Sequence, residues 1–282
     1  MTRLVGVAWA IALALTLVAP PPARAAPEAL VDEFLQKSGL AVQIAQIEAG
    51  VLQGLDQSRQ QEQTPELSSD QLDRLRRSVK TAYGADRLRS AVRTDLVASL
   101  ADGDVRDVLT WLDTPFGKRV TALEVEGSTM EAYDRLSKTG AATLASLAPA
   151  RRADLERMLK ASGSVDLLAG IIVHERLGVM RGIARSAGLP DAPPGVEAGA
   201  KVKQLRSQMA GALGPVLLAN AAALYAPLSD DQLRAYADEL ESPPSLRVTA
   251  AVGAALDRVL SAAALEFGRR IGDATKPPPL TT

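Results

Sequence analysis

One stretch of the chain occurs twice, and this duplication constrains the fold more than any other feature. Residues 99–124 align with residues 227–252 without a gap, at a constant offset of 128. The identical pairs include Arg119 with Arg247, inside a run of four identities. Self-similarity at a fixed offset is typical of chains built from a repeated structural unit.

A shorter similarity extends the duplication upstream. Leu35–Gly39 resembles Leu159–Gly163, and in each copy an apolar helical pattern ends at Ser-Gly. Glycine after the last helical residue is a common helix terminator. The chain is therefore predicted to comprise a signal peptide at residues 1–25, helical repeat one at 26–149, helical repeat two at 150–274 and a disordered tail at 275–282.

Composition favours packed helices over sheets. Of the 282 residues 47% are hydrophobic but only 3% are aromatic, so the core must consist mainly of small aliphatic side chains. Such side chains suit close helix packing, and no segment shows the sustained alternation of a half-buried strand. The prediction is an all-α protein with two tandem homologous helical repeats of about five helices each, packed in antiparallel fashion.

Helix boundaries follow from apolar periodicity and from capping residues. We expect N-caps at Ser69, at Asp102 and at Ser229 or Asp230. The residue before a proline is pushed out of the helical region, so Pro115 and Pro243 should stop helices. The predicted helices include Pro27–Lys37, Leu40–Ser58, Arg87–Leu100, Gly103–Asp113, Lys118–Leu147 and Ser245–Ile271, with loops at 57–65 and 189–199.

The first residues have the layout of an export signal. Arg3 precedes an apolar run from Leu4 to Ala19, and Ala23-Arg24-Ala25 supplies the small residues that a signal peptidase needs. A membrane anchor is the alternative, but the run is shorter than the roughly 20 residues that span a bilayer. We therefore expect cleavage after Ala25 and a periplasmic protein.

Charge and cysteine content exclude several functions. A formal net charge of −1 provides no basic face for nucleic acid. The absence of cysteine excludes disulfides, thiolate nucleophiles and Cys-ligated metal sites.

Asp102, Asp104 and the pair Asp230-Asp231 stand where helices begin, so capping is their expected role. Calcium-loop and phosphate-loop motifs are missing, and we expect neither a metal nor a cofactor.

The chain contains one histidine, His174, within an apolar helical pattern. The sequence His174-Glu175 lacks the second histidine of a zinc-protease helix. No serine or cysteine motif accompanies His174 as a nucleophile. We expect an ordinary helix histidine, and a protein that is not an enzyme.

The repeated segment resembles a known family. The stretch from Leu100 to Val120, with Thr114-Pro115-Phe116-Gly117-Lys118 at its centre, is similar to an exported bacterial helical domain of unknown function, DUF 2059. Repeat two departs from this pattern, with Pro244-Ser245-Leu246 at the equivalent corner. The resemblance implies an all-helical periplasmic protein and brings no catalytic residue with it.

The corner that occurs twice is the best candidate for a binding surface. Its speculative binding residues are Trp111, Phe116, Arg119 and Arg247. A purely structural role is the alternative, in which each arginine reaches a carboxylate on the preceding helix, such as Asp113 or Glu241. The aromatic residues occur in repeat one only and would be the anchors of a partner.

The expected function is protein binding or scaffolding in the envelope. The expected partner is another envelope protein, or a second copy of this chain through self-association. Two alternatives remain open at this point: an apolar ligand or lipid bound between the repeats, and a carboxylate-dependent envelope hydrolase. Membrane contact is expected only through an uncleaved signal or through a basic face near Arg74–Arg77. Acidic residues interleave with that face, so solvation is its simpler interpretation.

Overall fold

The computed structural model describes residues 24–60, 68–189 and 196–275, which contain twelve α-helices. The only extended pairing in these residues is an isolated bridge between Ala25 and Ala101. The all-α prediction is confirmed. The helices are α1 (Glu28–Lys37), α2 (Leu40–Gln60), α3 (Ser69–Tyr83), α4 (Ala85–Ser99), α5 (Asp102–Leu112), α6 (Pro115–Gly127), α7 (Met130–Ser146), α8 (Pro149–Ala161), α9 (Ser164–Ser186), α10 (Val196–Leu224), α11 (Asp230–Leu240) and α12 (Pro243–Thr275).

Two helices begin with a complete capping box. The hydroxyl of Ser68, one residue before the predicted cap Ser69, accepts a hydrogen bond from the backbone amide of Gln71. The side-chain oxygen of Gln71 in turn accepts a hydrogen bond from the backbone amide of Ser68. Ser229 and Gln232 form the same box at α11. Each box satisfies two backbone amides that a helix start otherwise leaves free.

The prediction that Asp102 is an N-cap is wrong. Ala101 takes that position, and Asp102 is the first residue of α5. The backbone amide of Asp102 donates to the carbonyl of Arg24 at 2.8 Å, so the upstream chain satisfies one of the amides at the start of α5. The Asp102 carboxylate instead pairs with Arg106 one turn later. Asp230 is likewise the first residue of its helix.

Proline begins the second helix of each corner. Thr114 is the N-cap of α6 and accepts a bond from the amide of Gly117 at 2.9 Å. The helix therefore begins at Pro115 rather than at the predicted Lys118. Proline suits the first helical position because its missing N–H would have no partner there. For the same reason α12 begins at Pro243, earlier than predicted.

The predicted long helix 118–147 is two helices. α6 ends at Gly127, and Thr129 caps α7 by accepting a bond from the amide of Ala132 at 3.2 Å. The side-chain cap gives the backbone an alternative to continuing the helix. The first half of the chain thus has seven helices and the second has five, rather than about five in each.

Both halves contribute to both hydrophobic cores. The larger core joins buried residues of α1–α5 from the first half with residues of α12 from the second. The smaller core joins α6 from the first half with α8, α10 and α11 from the second. α7 also packs against α10. The predicted domain boundary at 149 falls on the first residue of α8, and the two halves share their interiors.

Several local features recur at the predicted offset. α5 and α11 each have eleven residues and begin at equivalent positions. At the upstream similarity, where the offset is 124, Gly39 and Gly163 each follow a serine C-cap, and both have a left-handed φ, +73° and +60°. Glycine adopts this conformation without strain. These coincidences are consistent with the duplication, which stays a prediction.

The closest helix contact joins α9 to α12. A Cβ added to Gly182 would collide with the carbonyl of Leu265, and one added to Gly268 would collide with the carbonyl of Val179. Each glycine belongs to a Gly-x-x-x-Gly pair, so small residues line one face of each helix. The two backbones therefore touch, and most of the length of α9 lies against α12.

By length and composition alone, two helical stretches could cross a membrane, Gly199–Leu224 in α10 and Pro243–Asp273 in α12. α12 packs against α3, α4, α5 and α9, and α10 packs against α7 and α9. Charged residues of α12 also form ion pairs with the first half, among them Arg258 with Asp95. α12 therefore lies against several helices of the bundle, and 28% of its apolar stretch and 17% of that of α10 are buried.

Several predicted segments lie outside the described residues: positions 1–23 of the signal peptide, parts of both loops, and the tail from residue 276. The chain around the predicted cleavage site is described. The amide of Ala26, a buried residue, donates to the carbonyl of Leu100 at 2.9 Å. The residues that follow Ala25 are thus bound at the junction of α4 and α5, and export stays a prediction.

The glycine contact gives a stability prediction. Gly182→Ala is expected to lower the free energy of unfolding by roughly 1–3 kcal/mol, because the new methyl group must push α9 away from α12. Gly211→Ala in α10 is the matched control, since nothing lies within 4 Å of its added Cβ. The control should gain up to about 1 kcal/mol from helix propensity. Urea unfolding measures both, and a stabilised Gly182→Ala would contradict the close contact.

Candidate functional site

A cavity of about 550 Å³, the central cavity, lies where the two cores meet. Its walls come from every helix except α3 and α4, and they are mostly apolar. The volume falls within the range of small-molecule sites, which combine apolar walls with a few placed polar groups. The exposed ring of Tyr133 on α7 is part of its lining and marks a route to the surface.

A hydrogen-bonded cluster of three residues forms one polar part of the wall. Glu124 comes from α6, Tyr225 from the turn after α10, and Tyr236 from α11. Both tyrosine hydroxyls donate to Oε1 of Glu124, at 2.7 Å and 2.5 Å respectively. This tyrosine–glutamate cluster ties the first half of the chain to the second inside the protein.

Burial controls the protonation of the cluster. Part of the Glu124 side chain borders the cavity, but its carboxyl group lies deep in the protein, and this burial raises the pKa of Glu124. The two hydroxyl hydrogen bonds oppose the rise. Burial and the nearby carboxyl raise the pKa of Tyr225 and of Tyr236, so both phenols keep their protons and act as donors.

Aromatic rings extend the cluster. Trp111 stacks on Tyr236 with ring centroids 5.5 Å apart and planes 12° apart. Phe116 meets Trp111 edge-on at 6.1 Å, and Tyr225 lies 5.8 Å from Tyr236. The structure thus brings together Trp111 and Phe116, two of the predicted binding residues. Trp111 forms part of the cavity wall, where a ligand rather than a flat partner surface would meet it.

A second carboxyl group lines the same cavity. Glu239 follows Tyr236 by one turn of α11, and its Oε1 accepts a bond from the Ser245 hydroxyl at 2.7 Å. None of the described residues that line the cavity is a lysine, an arginine or a histidine. The ionisable acids of the wall therefore have no basic partner within it.

The predicted arginines lie on the surface, away from the cavity. Arg119 donates to the carbonyl of Pro227 at 2.8 Å. Arg247 donates twice to the carboxylate of Asp104, at 2.8 Å and 2.6 Å, and holds the pKa of Asp104 below its usual value. Both side chains therefore join one half of the chain to the other.

The expectation that these arginines reach Asp113 or Glu241 is wrong. Asp113 binds Lys37 on α1, and Glu241 binds Arg157 on α8. The reason is the exchange of helices between halves, because α6 and α12 face elements of the opposite half. The carboxylates at the ends of α5 and α11 instead hold α1 and α8 in place.

His174 is away from the cavity, in the contact between α9 and α12. Its Nδ1 lies 2.7 Å and 2.9 Å from the two carboxylate oxygens of Asp257. The adjacent Glu175 is beside the hydroxyl of Tyr83, and burial raises the pKa of Glu175 to about 7. These groups link α9 to α12 and α3, and they include no nucleophile.

No group of three or more His, Asp or Glu residues in the described part of the chain could hold a metal ion. The basic face near Arg74–Arg77 is partly neutralised. Arg76 pairs with Asp56 at 2.9 Å, and Arg89 pairs with Asp86 at 2.7 Å. Ion pairing of this kind weakens the field that would attract an anionic membrane.

Sequence reasoning missed Glu124, Tyr225, Tyr236 and Glu239 as site residues. Glu124 lies 101 positions before Tyr225 and 112 before Tyr236, and no motif spacing links them. One signal was available, since Glu124 follows the buried Val120 by four residues and so lies on the inner face of α6. The other copy has Val252 at the position equivalent to Glu124.

Glu175 gives a pH prediction. A carboxyl group whose pKa is raised on folding binds its proton more tightly in the folded state, so stability falls as pH rises towards the folded pKa. From pH 5 to pH 8, the unfolding free energy of the wild type should fall relative to that of Glu175→Gln, by up to about 3 kcal/mol. Urea titrations across this range measure the difference, and parallel pH profiles would show that Glu175 is not the titrating group.

Comparison with known proteins gives no assignment. No family model, no curated protein and no solved structure matches this chain. The resemblance of Leu100–Val120 to DUF 2059 therefore stays an expectation from those residues. The function has to be argued from the central cavity and its wall.

Proposed function

We propose that this protein is a non-enzymatic binding protein that holds an apolar ligand in the central cavity. The observation that carries the proposal is the cavity itself, about 550 Å³ of mostly apolar space with one hydrogen-bonded polar cluster in its wall. Apolar walls supply affinity by removing ligand surface from water. A few polar groups then fix the orientation of the ligand.

The cavity lies between helices of both halves, so a bound ligand would contact both. Trp111 and Glu124 come from the first half, and Tyr225 and Tyr236 come from the second. A ligand that touches both halves stabilises the folded state in proportion to its occupancy. This arrangement matches the expectation of an apolar ligand between the repeats.

A docking surface for another protein has less support. The large apolar side chains that are exposed are spread over five helices and one helix end: Val42 on α2, Tyr133 on α7, Met180 and Ile183 on α9, Leu189 just after α9, Leu205 and Val216 on α10, and Leu246 on α12. Partner binding would favour one contiguous apolar patch. We therefore place ligand binding ahead of protein binding or scaffolding in the envelope.

The proposal also includes export of the chain to the periplasm. The predicted signal at residues 1–25 would deliver the chain to the periplasm, an aqueous compartment between two membranes. An apolar compound in that compartment needs a protein interior to shield it from water. In this proposal the protein carries or stores such a compound and leaves it chemically unchanged.

Binding of an uncharged apolar dye tests the proposal. The sequence contains two tryptophans, and cleavage after Ala25 removes Trp9, so the chain that begins at Ala26 has Trp111 in the cavity wall as its single tryptophan. N-phenylnaphthylamine should bind this chain one-to-one and quench Trp111 emission. Ala221→Phe, which fills part of the cavity, should weaken dye binding about tenfold or more, while Val216→Phe, an exposed site on the same helix, should not.

Thr249→Phe on α12 is a second filling variant, in case Ala221→Phe lowers stability too far. Melting temperatures confirm that each variant is folded. Mass spectrometry of the protein purified from an exporting host should recover an apolar compound that is released on unfolding. A dye that binds all variants equally, with unaltered Trp111 emission, would place the binding site elsewhere.

A further inference from the structure

The composition of the cavity wall indicates what kind of head group its ligand has. We propose that the central cavity binds an amphiphile with a cationic ammonium head, placed between Glu124 and Glu239 against the rings of Tyr236 and Trp111, with the apolar tail in the rest of the cavity. This inference rests on the proposed function and specifies its ligand class.

The first argument is charge. Two carboxyl groups line the cavity, and none of its described lining residues is basic. A carboxylate in an apolar interior is costly unless an opposite charge or several donors accompany it. The donors present are two tyrosine hydroxyls on Glu124 and one serine hydroxyl on Glu239. An ammonium group supplies the missing positive charge.

The second argument is the position of the two acids. Tyr236 and Glu239 are three residues apart on α11 and so lie on one face of that helix. Glu124 reaches the same tyrosine from α6 by accepting its hydroxyl bond. Tyr236 therefore stands between two carboxyl groups, and a single head group beside its ring would meet both.

The third argument is aromatic. The rings of Trp111, Tyr225 and Tyr236 form one contiguous cluster in the wall. Cations are attracted to the faces of aromatic rings, and tryptophan provides the strongest attraction. Aromatic rings combined with carboxylates are a recurring way to bind alkylammonium groups. An anionic head such as a fatty-acid carboxylate would meet only repulsion at this wall.

Protonation of Glu124 couples to this binding. In the empty cavity burial raises the pKa of Glu124, which favours its neutral form. An ammonium group beside it favours the ionised form, so binding of a cation releases a proton. The other ionisable groups of the wall are Glu239, Tyr133, Tyr225 and Tyr236. Burial and the nearby carboxyl raise the pKa of Tyr225 and of Tyr236, so these two phenols stay protonated. Affinity for a cation should therefore increase with pH through the titration of Glu124.

Three probes with the same tail test the head group: decyltrimethylammonium, decanol and decanoate. Each displaces the apolar dye from the chain that begins at Ala26, below the concentration at which the probe forms micelles. We expect the cation to bind at least about tenfold more tightly than decanol, and decanoate to bind most weakly. The preference for the cation should grow from pH 5 to pH 8.

Variants locate the effect. Glu124→Gln and Glu239→Gln should each weaken binding of decyltrimethylammonium about tenfold while changing decanol binding less than about twofold. Glu126→Gln is the matched control, because this acid lies on the same helix but pairs with Arg135 on the surface. Melting temperatures establish that each variant is folded, and decanol binding confirms an intact cavity.

The outcomes separate the two proposals. If all three probes bind with similar affinity, the cavity binds apolar compounds and the cationic head is refuted. If decanoate binds best, the charge argument is wrong. If no probe binds, and the cavity-filling variants also behave as the wild type, the proposed function itself fails. A cation preference that survives in both Gln variants would overturn the assignment to Glu124 and Glu239.

Discussion

The contact between α9 and α12 is the interaction on which the rest of the structure depends. Gly182 and Gly268 let the two backbones touch, and α12 then extends into the first half of the chain, where it completes the larger core. Because interiors pack at nearly crystalline density, a displaced α12 would open both the core and the cavity wall. The bundle therefore has two cores that both halves of the chain build together.

The central cavity follows from this exchange of helices. Positions on its wall come in pairs that the predicted duplication aligns: Val108 with Tyr236, Trp111 with Glu239, Thr121 with Thr249, Glu124 with Val252, Phe34 with Met158, and Ser38 with Ser162. Both members of each pair line the space. The cavity thus lies where the equivalent faces of the two halves meet. The differences within three of these pairs supply Trp111, Glu124, Tyr236 and Glu239 of its wall.

The sequence predicted the parts of the fold that depend on local chemistry. Helical class, the corners at Pro115 and Pro243 and the Ser-Gly helix ends follow from capping, proline geometry and glycine. The break at Thr129 was missed, because an apolar stripe continues across it. The partners of Arg119 and Arg247 were missed too, since they depend on which half each helix packs against. Long-range pairing of this kind leaves no periodic signal along the chain.

The two predicted copies differ at the position of Glu124, which aligns with Val252. At the equivalent position Val252 lines the same cavity, so an aliphatic side chain fits this kind of site without loss of packing. A buried carboxyl group costs stability that a valine would not, even with two hydroxyl donors. Apolar packing alone therefore does not account for Glu124, whose carboxyl group also accepts from two buried tyrosine hydroxyls. The predicted duplication likewise aligns Trp111 with Glu239, an aromatic ring with a carboxyl group. Binding of a cationic head group gives both differences a physical reason, since it needs carboxylates and aromatic rings on one side of an otherwise apolar space.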